Sequence, residues 1–345
     1  MRILALFLCL LYLPVSAAAL EIEAPQVPEA GRSWMPDNTD SLWEGCIALL
    51  QKAVSSLRPD LGEASRVSLG IIGAVILVSL LQSFSGSSKK TAEIAGAVAI
   101  ASLLLLSTNS MIRLASDTVE EIGNYGKLLL PVMTTALAAQ GGITASSALY
   151  AGTALFTALL QSVMGSLLIP GIYLYLALSA GSYATGEDLL KKTGDLLKGL
   201  LGWSLKMLLI IFTTYLSLTR VVSGTTDAAA LKATKVGMSS FVPVVGGILS
   251  DASEAVLVSA GLMKNAAGIY GILAVLALFL HPFLQIGLHY LILKLTAAIC
   301  AVFGTSRMTG IIECFSTAMG LLLGMTGAAC VMVLISTVCF MKGVG

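Results

Sequence analysis

The sequence predicts an all-α fold, a polytopic helical membrane protein with about seven transmembrane helices in a range of about six to ten. Two observations carry that prediction. Of the 345 residues, 57% are hydrophobic and only 11% are charged, against roughly 25% charge in a soluble domain. The apolar runs also reach the ~20 residues needed to cross a hydrocarbon core of about 30 Å. A net charge of +1 without a basic block argues against nucleic acid as a partner and leaves the lipid bilayer as the principal one.

Residues 1–19 have the layout of a secretory signal. Arg2 is followed by an apolar run from Ile3 to about Leu13 and by Ala17-Ala18-Ala19, which fits cleavage after Ala19. An exported polar segment follows over 20–65, with Pro25, Pro28 and Pro36. Within it, SLWEGCIALLQKAVSSL (41–57) reads as a short amphipathic helix lying on the outer membrane face or on a partner. Ser41 and Glu44 stand at capping-box spacing there.

The polytopic domain occupies 66–345. A first span over about Val67–Phe84 leads to Lys89 and Lys90, a cytoplasmic turn by the positive-inside rule. A second span, about Ala95–Ile112, delivers the net acidic stretch RLASDTVEEIGNYGK (113–127) to the outside as a loop. TGEDLLKKTGDLLKGL (185–200) reads as an interfacial amphipathic helix.

From Leu128 onward an offset of 112 residues pairs Pro131 with Pro243 and Pro170 with Pro282. It suggests an internal duplication, 113–222 and 225–341. Each unit would hold a Pro-Val segment, LLPVMTTALAAQGGITASS in the first and FVPVVGGILSDASEAV in the second, that is broken or re-entrant. A re-entrant segment gives three crossings per unit and inverted repeats; a spanning one gives four and parallel repeats. Counting Lys and Arg in the loops does not separate the two. The inverted arrangement puts Lys89, Lys90, Arg220, Lys232, Lys235 and Arg307 inside, the parallel one Lys89, Lys90, Lys191, Lys192, Lys198 and Arg307.

The polar residues of these segments are the candidate pore or polar-path positions. Pro131 and Pro243 each remove a backbone donor, and Gly246-Gly247 allows close helix approach. Asp251 and Glu254, three apart, share a helical face. Two readings stay open: a discontinuous helix lining a polar passage, or an interfacial helix whose acids reach the headgroups. Lys206 and Lys294 fall within apolar spans, where charges usually face the protein interior unless they snorkel. His281 and His289 suit hydrogen-bonded packing better than a proton relay. No metal site or cofactor is expected, because no cysteine pair has ligand spacing. No phosphate-binding glycine loop, G-x-S-x-G or H-E-x-x-H occurs, so the chain reads as a non-enzyme.

The stretch from about Tyr125 to Gly345 resembles the stage III sporulation protein AE family. The residues that carry the resemblance are LLPVMTTALAAQGGITASSA, SGTTDAAALKATKVGMSSFVPVVGGILSDASEAV and the closing hydrophobic segments. Residues 1–65 carry little of it. The resemblance implies a multi-pass protein of the mother-cell membrane around the forespore, with its N-terminus exported. It implies work in a channel or secretion-like complex that permits late forespore gene expression. Implied partners are other membrane subunits, ring-forming proteins between the membranes and a cytoplasmic ATPase. The alternative is a secondary transporter or permease, with a substrate path between two repeats near Pro131 and Pro243.

Overall fold

The computed structural model describes residues 24–36, 41–84, 89–241, 246–303 and 306–342, and every regular element among them is helical. A short helix α1 (Glu29–Arg32) precedes α2 (Leu42–Phe84) and α3 (Lys89–Ala139). Next come α4 (Ile143–Val163), a π-helical turn (Met164–Leu168) and α5 (Ile169–Thr185), which form one column. The chain closes with α6 (Asp188–Phe241), α7 (Gly246–Phe303) and α8 (Ser306–Met341). Six helices are long and apolar enough to cross a membrane, close to the predicted seven, and the chain is a multi-pass membrane protein. The signal region 1–19 and Pro243 lie outside the described residues.

The helices are longer than the sequence suggests, because several expected loops are helical. The amphipathic stretch 41–57 continues through Pro59 into the first span as the single helix α2. Its expected cap is in place: the Glu44 N–H points to Ser41 Oγ at 3.5 Å, at the long limit of a hydrogen bond. The acidic stretch 113–127, expected as an external loop, is the middle of α3, which also runs unbroken through Pro131. The 185–200 segment is the opening of α6 and not a separate interfacial helix.

The first Pro-Val segment is therefore neither re-entrant nor a span of its own. It is broken at Gln140-Gly141-Gly142, with Gly141 at φ 90°: its first part is the upper end of α3 and its last residues, from Ile143, open α4. Residues 149–182 lie in one column carrying the π-turn. Each proposed unit then crosses twice instead of three or four times. An even number leaves successive units in the same orientation.

The connections α2–α3, α5–α6 and α7–α8 meet at one end of the bundle, the lower end. Arg307 holds them together. Its Nε lies 3.7 Å from Glu93 Oε1, and its Nη1 donates to the carbonyls of Tyr183 (3.5 Å) and Ala184 (3.2 Å). Beside it Gly186, at φ 81°, ends α5 with its N–H on the Ser182 carbonyl at 2.7 Å. Lys89, Lys90, Lys191, Lys192 and Arg307 thus lie toward this end, and Lys198 stands about 15 Å farther up α6. At the upper end Gly261 approaches Gln140, and Gly268 approaches Met341.

α8 fills the centre. Met308, Ile311, Phe315, Ala318, Leu322, Met325, Ala329 and Met332 recur at alternating three- and four-residue steps, and all are buried. A second row beside them, including Ile312, Met319 and Val333, is buried as well. A helix apolar nearly all round belongs in the interior, and α8 packs mainly on α7 and α3. Buried hydroxyls tie it to its neighbours: Thr153 Oγ1 and Ser336 Oγ are 2.7 Å apart.

Candidate functional site

The polar residues in the middle of α3 line a cleft, and the heptad pattern of that helix explains why. Ala115, Val119, Ile122, Gly126, Leu129, Met133 and Ala136 step by four and three residues and are all buried. A second stripe with the same steps, Arg113, Asp117, Glu120, Asn124 and Lys127, is exposed. Burial of the first stripe forces the second outward, beside the column formed by α4 and α5.

At this height that column makes its π-turn. Pro170 has no N–H to offer the Ser166 carbonyl, and its ring crowds that carbonyl. An i→i+5 turn just before it relieves the crowding. The wider turn sets back the wall, leaving a cleft of about 290 Å³ against α3. Its polar lining is Ser116, Glu120, Asn124, Lys127 and Gln161, and Val119, Met164 and Ile169 make its apolar side. Two glycines shape it. A Cβ on Gly123 would stand 2.3 Å from Gln161 Nε2, so only glycine lets that amide lie against α3. A Cβ on Gly165 would meet nothing within 4 Å and would project into open space.

The electrostatics are mixed. Lys127 Nζ donates to Asn124 Oδ1 at 3.3 Å. Among the described residues, Glu93–Arg307 is the ion pair within 4 Å, so neither Glu120 nor Lys127 is closed off by a described opposite charge. Asp117 and Glu121 add negative charge along the same stretch of α3.

Depth follows from helix geometry. From Glu93 at the lower end to Arg113 is 20 residues, about 30 Å of helix, and to Glu120 is 27 residues, about 40 Å. On α2 the 18 residues from Phe84 back to Arg66 give about 27 Å. The charge-free lengths of α2 and α3 thus match a hydrocarbon core of about 30 Å, and the cleft lies just above that length on α3.

The residues singled out from sequence do not converge on this cleft. Pro131 is exposed on α3, four residues beyond Lys127, whose carbonyl it cannot serve. Lys206 and Lys294 are exposed on the bundle surface, Lys294 between exposed Leu291 and Leu295, so neither faces the interior. Gly246 and Gly247 open α7. The side chains of Asp251 and Glu254 lie outside the described residues, as Pro243 does. His281 has a packing role: its Nδ1 is 3.2 Å from Ser56 Oγ, and Trp34 stacks on its ring at 4.6 Å. His289 is buried with its Nδ1 3.0 Å from the Gln285 carbonyl. Sequence reasoning missed Glu120, Asn124, Lys127 and Gln161. The signal was present in the three-four spacing of apolar residues through 115–136, which net charge alone concealed.

The model of the family described as stage III sporulation protein AE matches residues 40–343. A curated relative, the stage III sporulation protein AE of Bacillus subtilis (strain 168), is 28% identical over 240 residues. That match covers 68% of this chain and 59% of the relative, so the chain spans about three-fifths of the relative's length. No solved structure matches.

Proposed function

Because the chain belongs to the stage III sporulation protein AE family, we propose that it acts in sporulation as a non-catalytic membrane subunit. Its place is a trans-envelope channel or secretion-like complex linking mother cell and forespore and needed for late forespore gene expression. The observation that carries this reading is the extent of the family match, 40–343, which takes in all six membrane-length helices. The packed centre supports it further. α8, the last helix of the second proposed unit, fills the centre of the bundle with buried Leu, Met, Ala and Phe, which favours a structural subunit over a transporter with a path through that centre.

Lys89 and Lys90, at the start of α3, support a cytoplasmic lower end by the positive-inside rule. In that orientation α2 enters from the other side and the N-terminal segment is exported, and the family resemblance is what supports the mother-cell membrane as the location. Its partners are the other membrane subunits, ring-forming proteins between the membranes and a cytoplasmic ATPase.

Deleting the gene in an endospore-forming host tests the role. Late forespore reporters should fall silent while early ones persist, and the tagged chain should co-purify with membrane and intermembrane partners. Normal late expression in the deletion strain would overturn the proposal. If D251N, E254Q or K206Q abolished function with assembly intact, the transporter reading would replace it.

A further inference from the structure

The upper half of α2 carries an apolar stripe that no described element covers. Trp43, Ile47, Leu50, Val54, Leu57 and Leu61 recur at alternating four- and three-residue steps. Trp43 is 75% exposed, Leu50 51% and Val54 55%, and of the six only Leu57 is half-buried. The other contacts of the helix leave this side free. α7 packs on Gly45, Leu49 and Ala53, with Leu273 against Gly45. α1 lies on the side of Lys52, whose Nζ donates to the Ser33 carbonyl. At 3.6 residues per turn, that side is opposite the apolar stripe.

Lipid does not account for the stripe. Exposed Glu44, Lys52, Arg58, Glu63 and Arg66 share this length of helix, and hydrocarbon does not solvate such a run of charges. Nor can the length lie flat on a membrane, because α2 is one helix from Leu42 to Phe84 and its upper half continues the span. The heptad identifies the occupant. Ile47, Val54 and Leu61 take the a positions, and Trp43, Leu50 and Leu57 take d. β-Branched residues at a with leucine at d favour a parallel, two-stranded coil. Two copies of this chain in one membrane hold their α2 helices parallel, because their two-fold axis runs along the membrane normal. The flanks agree. In a parallel pair each g residue meets the e residue five positions on in its partner, here Cys46 with Gln51, Ala53 with Arg58 and Asp60 with Ser65, so no like charges oppose.

We propose that the chain forms a two-fold homodimer through a parallel coiled coil of residues 43–61 of α2. The stripe exposes on the order of 500 Å² of apolar side chain, near the upper end of what a monomer leaves open. Two copies together bring about 1,000 Å² to the contact, enough for a specific interface. The rest of the bundle leaves room for it. α7 lies roughly 110° round α2 from the stripe, so two-fold symmetry sets the two α7 helices on opposite sides of the pair. The dimer requires only that α2 runs as one helix, so its failure would leave the sporulation role untouched.

Disulfide trapping of the full chain in membranes tests this, with single cysteines in a background without the native ones. Leu50→Cys and Leu57→Cys, both at d, should give a covalent dimer on mild oxidation, because d side chains meet across a two-stranded coil within disulfide reach. Ser55→Cys, exposed on the other side of the helix, should give about ten-fold less. Light scattering of the wild type in mild detergent should read two chains. L50E should weaken the dimer about 100-fold, since burial of one leucine is itself worth roughly ten- to 100-fold, and S55E should leave it unchanged. Circular dichroism melts confirm that each variant is folded. A wild type that stays monomeric at micromolar concentration, or equal cross-linking at positions 50, 55 and 57, overturns the assignment. A monomer whose L50E form loses its membrane partners in sporulating cells would also overturn it, and would give the stripe to another subunit.

Discussion

Replacing Gly152 with alanine would set a Cβ 1.9 Å from Cε1 and 2.6 Å from Cζ of Tyr215, where α4 crosses α6. Ordinary contact begins near 3.4 Å, so the ring must move by well over an ångström. It cannot do so freely. Tyr215 Oη donates to the Ala148 carbonyl at 3.0 Å, and the ring sits 5.7 Å from Phe156, which in turn meets Phe212 edge-on at 5.3 Å. Overpacking of this kind costs about 1–3 kcal/mol, and loss of the hydrogen bond adds about 0.5–1.5 kcal/mol. G152A should therefore destabilise the bundle by about 2–4 kcal/mol. Small residues at helix crossings are what permit close packing in lipid, so the effect belongs to the interface and not to helix propensity, which favours alanine.

A double-mutant cycle read by thermal unfolding in a mild detergent separates these terms. Y215F should lose only the hydrogen-bond share. Y215A removes the obstacle, so G152A/Y215A should be no less stable than Y215A alone, a coupling equal to the whole cost of G152A, about 2–4 kcal/mol. If G152A and Y215A add independently, the close crossing of α4 and α6 is wrong.

Other interfaces give further expectations. Thr153→Val should cost about 1–2 kcal/mol by leaving buried Ser336 without its partner, and T153V/S336A should cost less than the sum of the singles; unfolding of the four proteins checks this. Arg307→Gln removes the ion pair with Glu93 and weakens the carbonyl contacts, for a loss of about 1–2 kcal/mol, while E93Q, touching the ion pair alone, should cost under about 1 kcal/mol; the same melts distinguish them. Gly186→Ala places a Cβ at φ 81° and within 3.0 Å of Arg307, so it should destabilise by about 1–2 kcal/mol, and Gly186→Asn, which tolerates that conformation, by less.

The membrane class and the approximate number of crossings were legible because they rest on composition and run length, which lipid constrains directly. The packing role of His281 was legible too, since no second ligand or acid was spaced to use it. Helix continuity was not. Proline is read as a breaker, yet Pro59, Pro131 and Pro282 all lie inside helices. In a packed bundle the lost donor and the ring clash, about 3 kcal/mol in an isolated helix, are offset by tertiary packing along dozens of residues. The acidic stretch 113–127 looked like a loop because its charges were counted and not placed. On the helix, Asp117, Glu120 and Asn124 occupy one stripe while Val119, Ile122 and Gly126 bury the other. The π-turn had only an indirect trace, the proline at 170, because an extra residue in one turn leaves apolar spacing almost unchanged.

The central claim is that the chain crosses six times, with the turns near Gly186 and Ser306 on one side and the turn at Gly141 on the other. Single cysteines at these three positions, in a background without the native cysteines, can be labelled with a membrane-impermeant maleimide before and after the cells are opened. The account predicts that Gly141→Cys labels in intact cells, while Gly186→Cys and Ser306→Cys label only once the cytoplasm is accessible. Labelling of Gly141→Cys and Gly186→Cys from the same side would contradict it, because the column between them would then cross an even number of times.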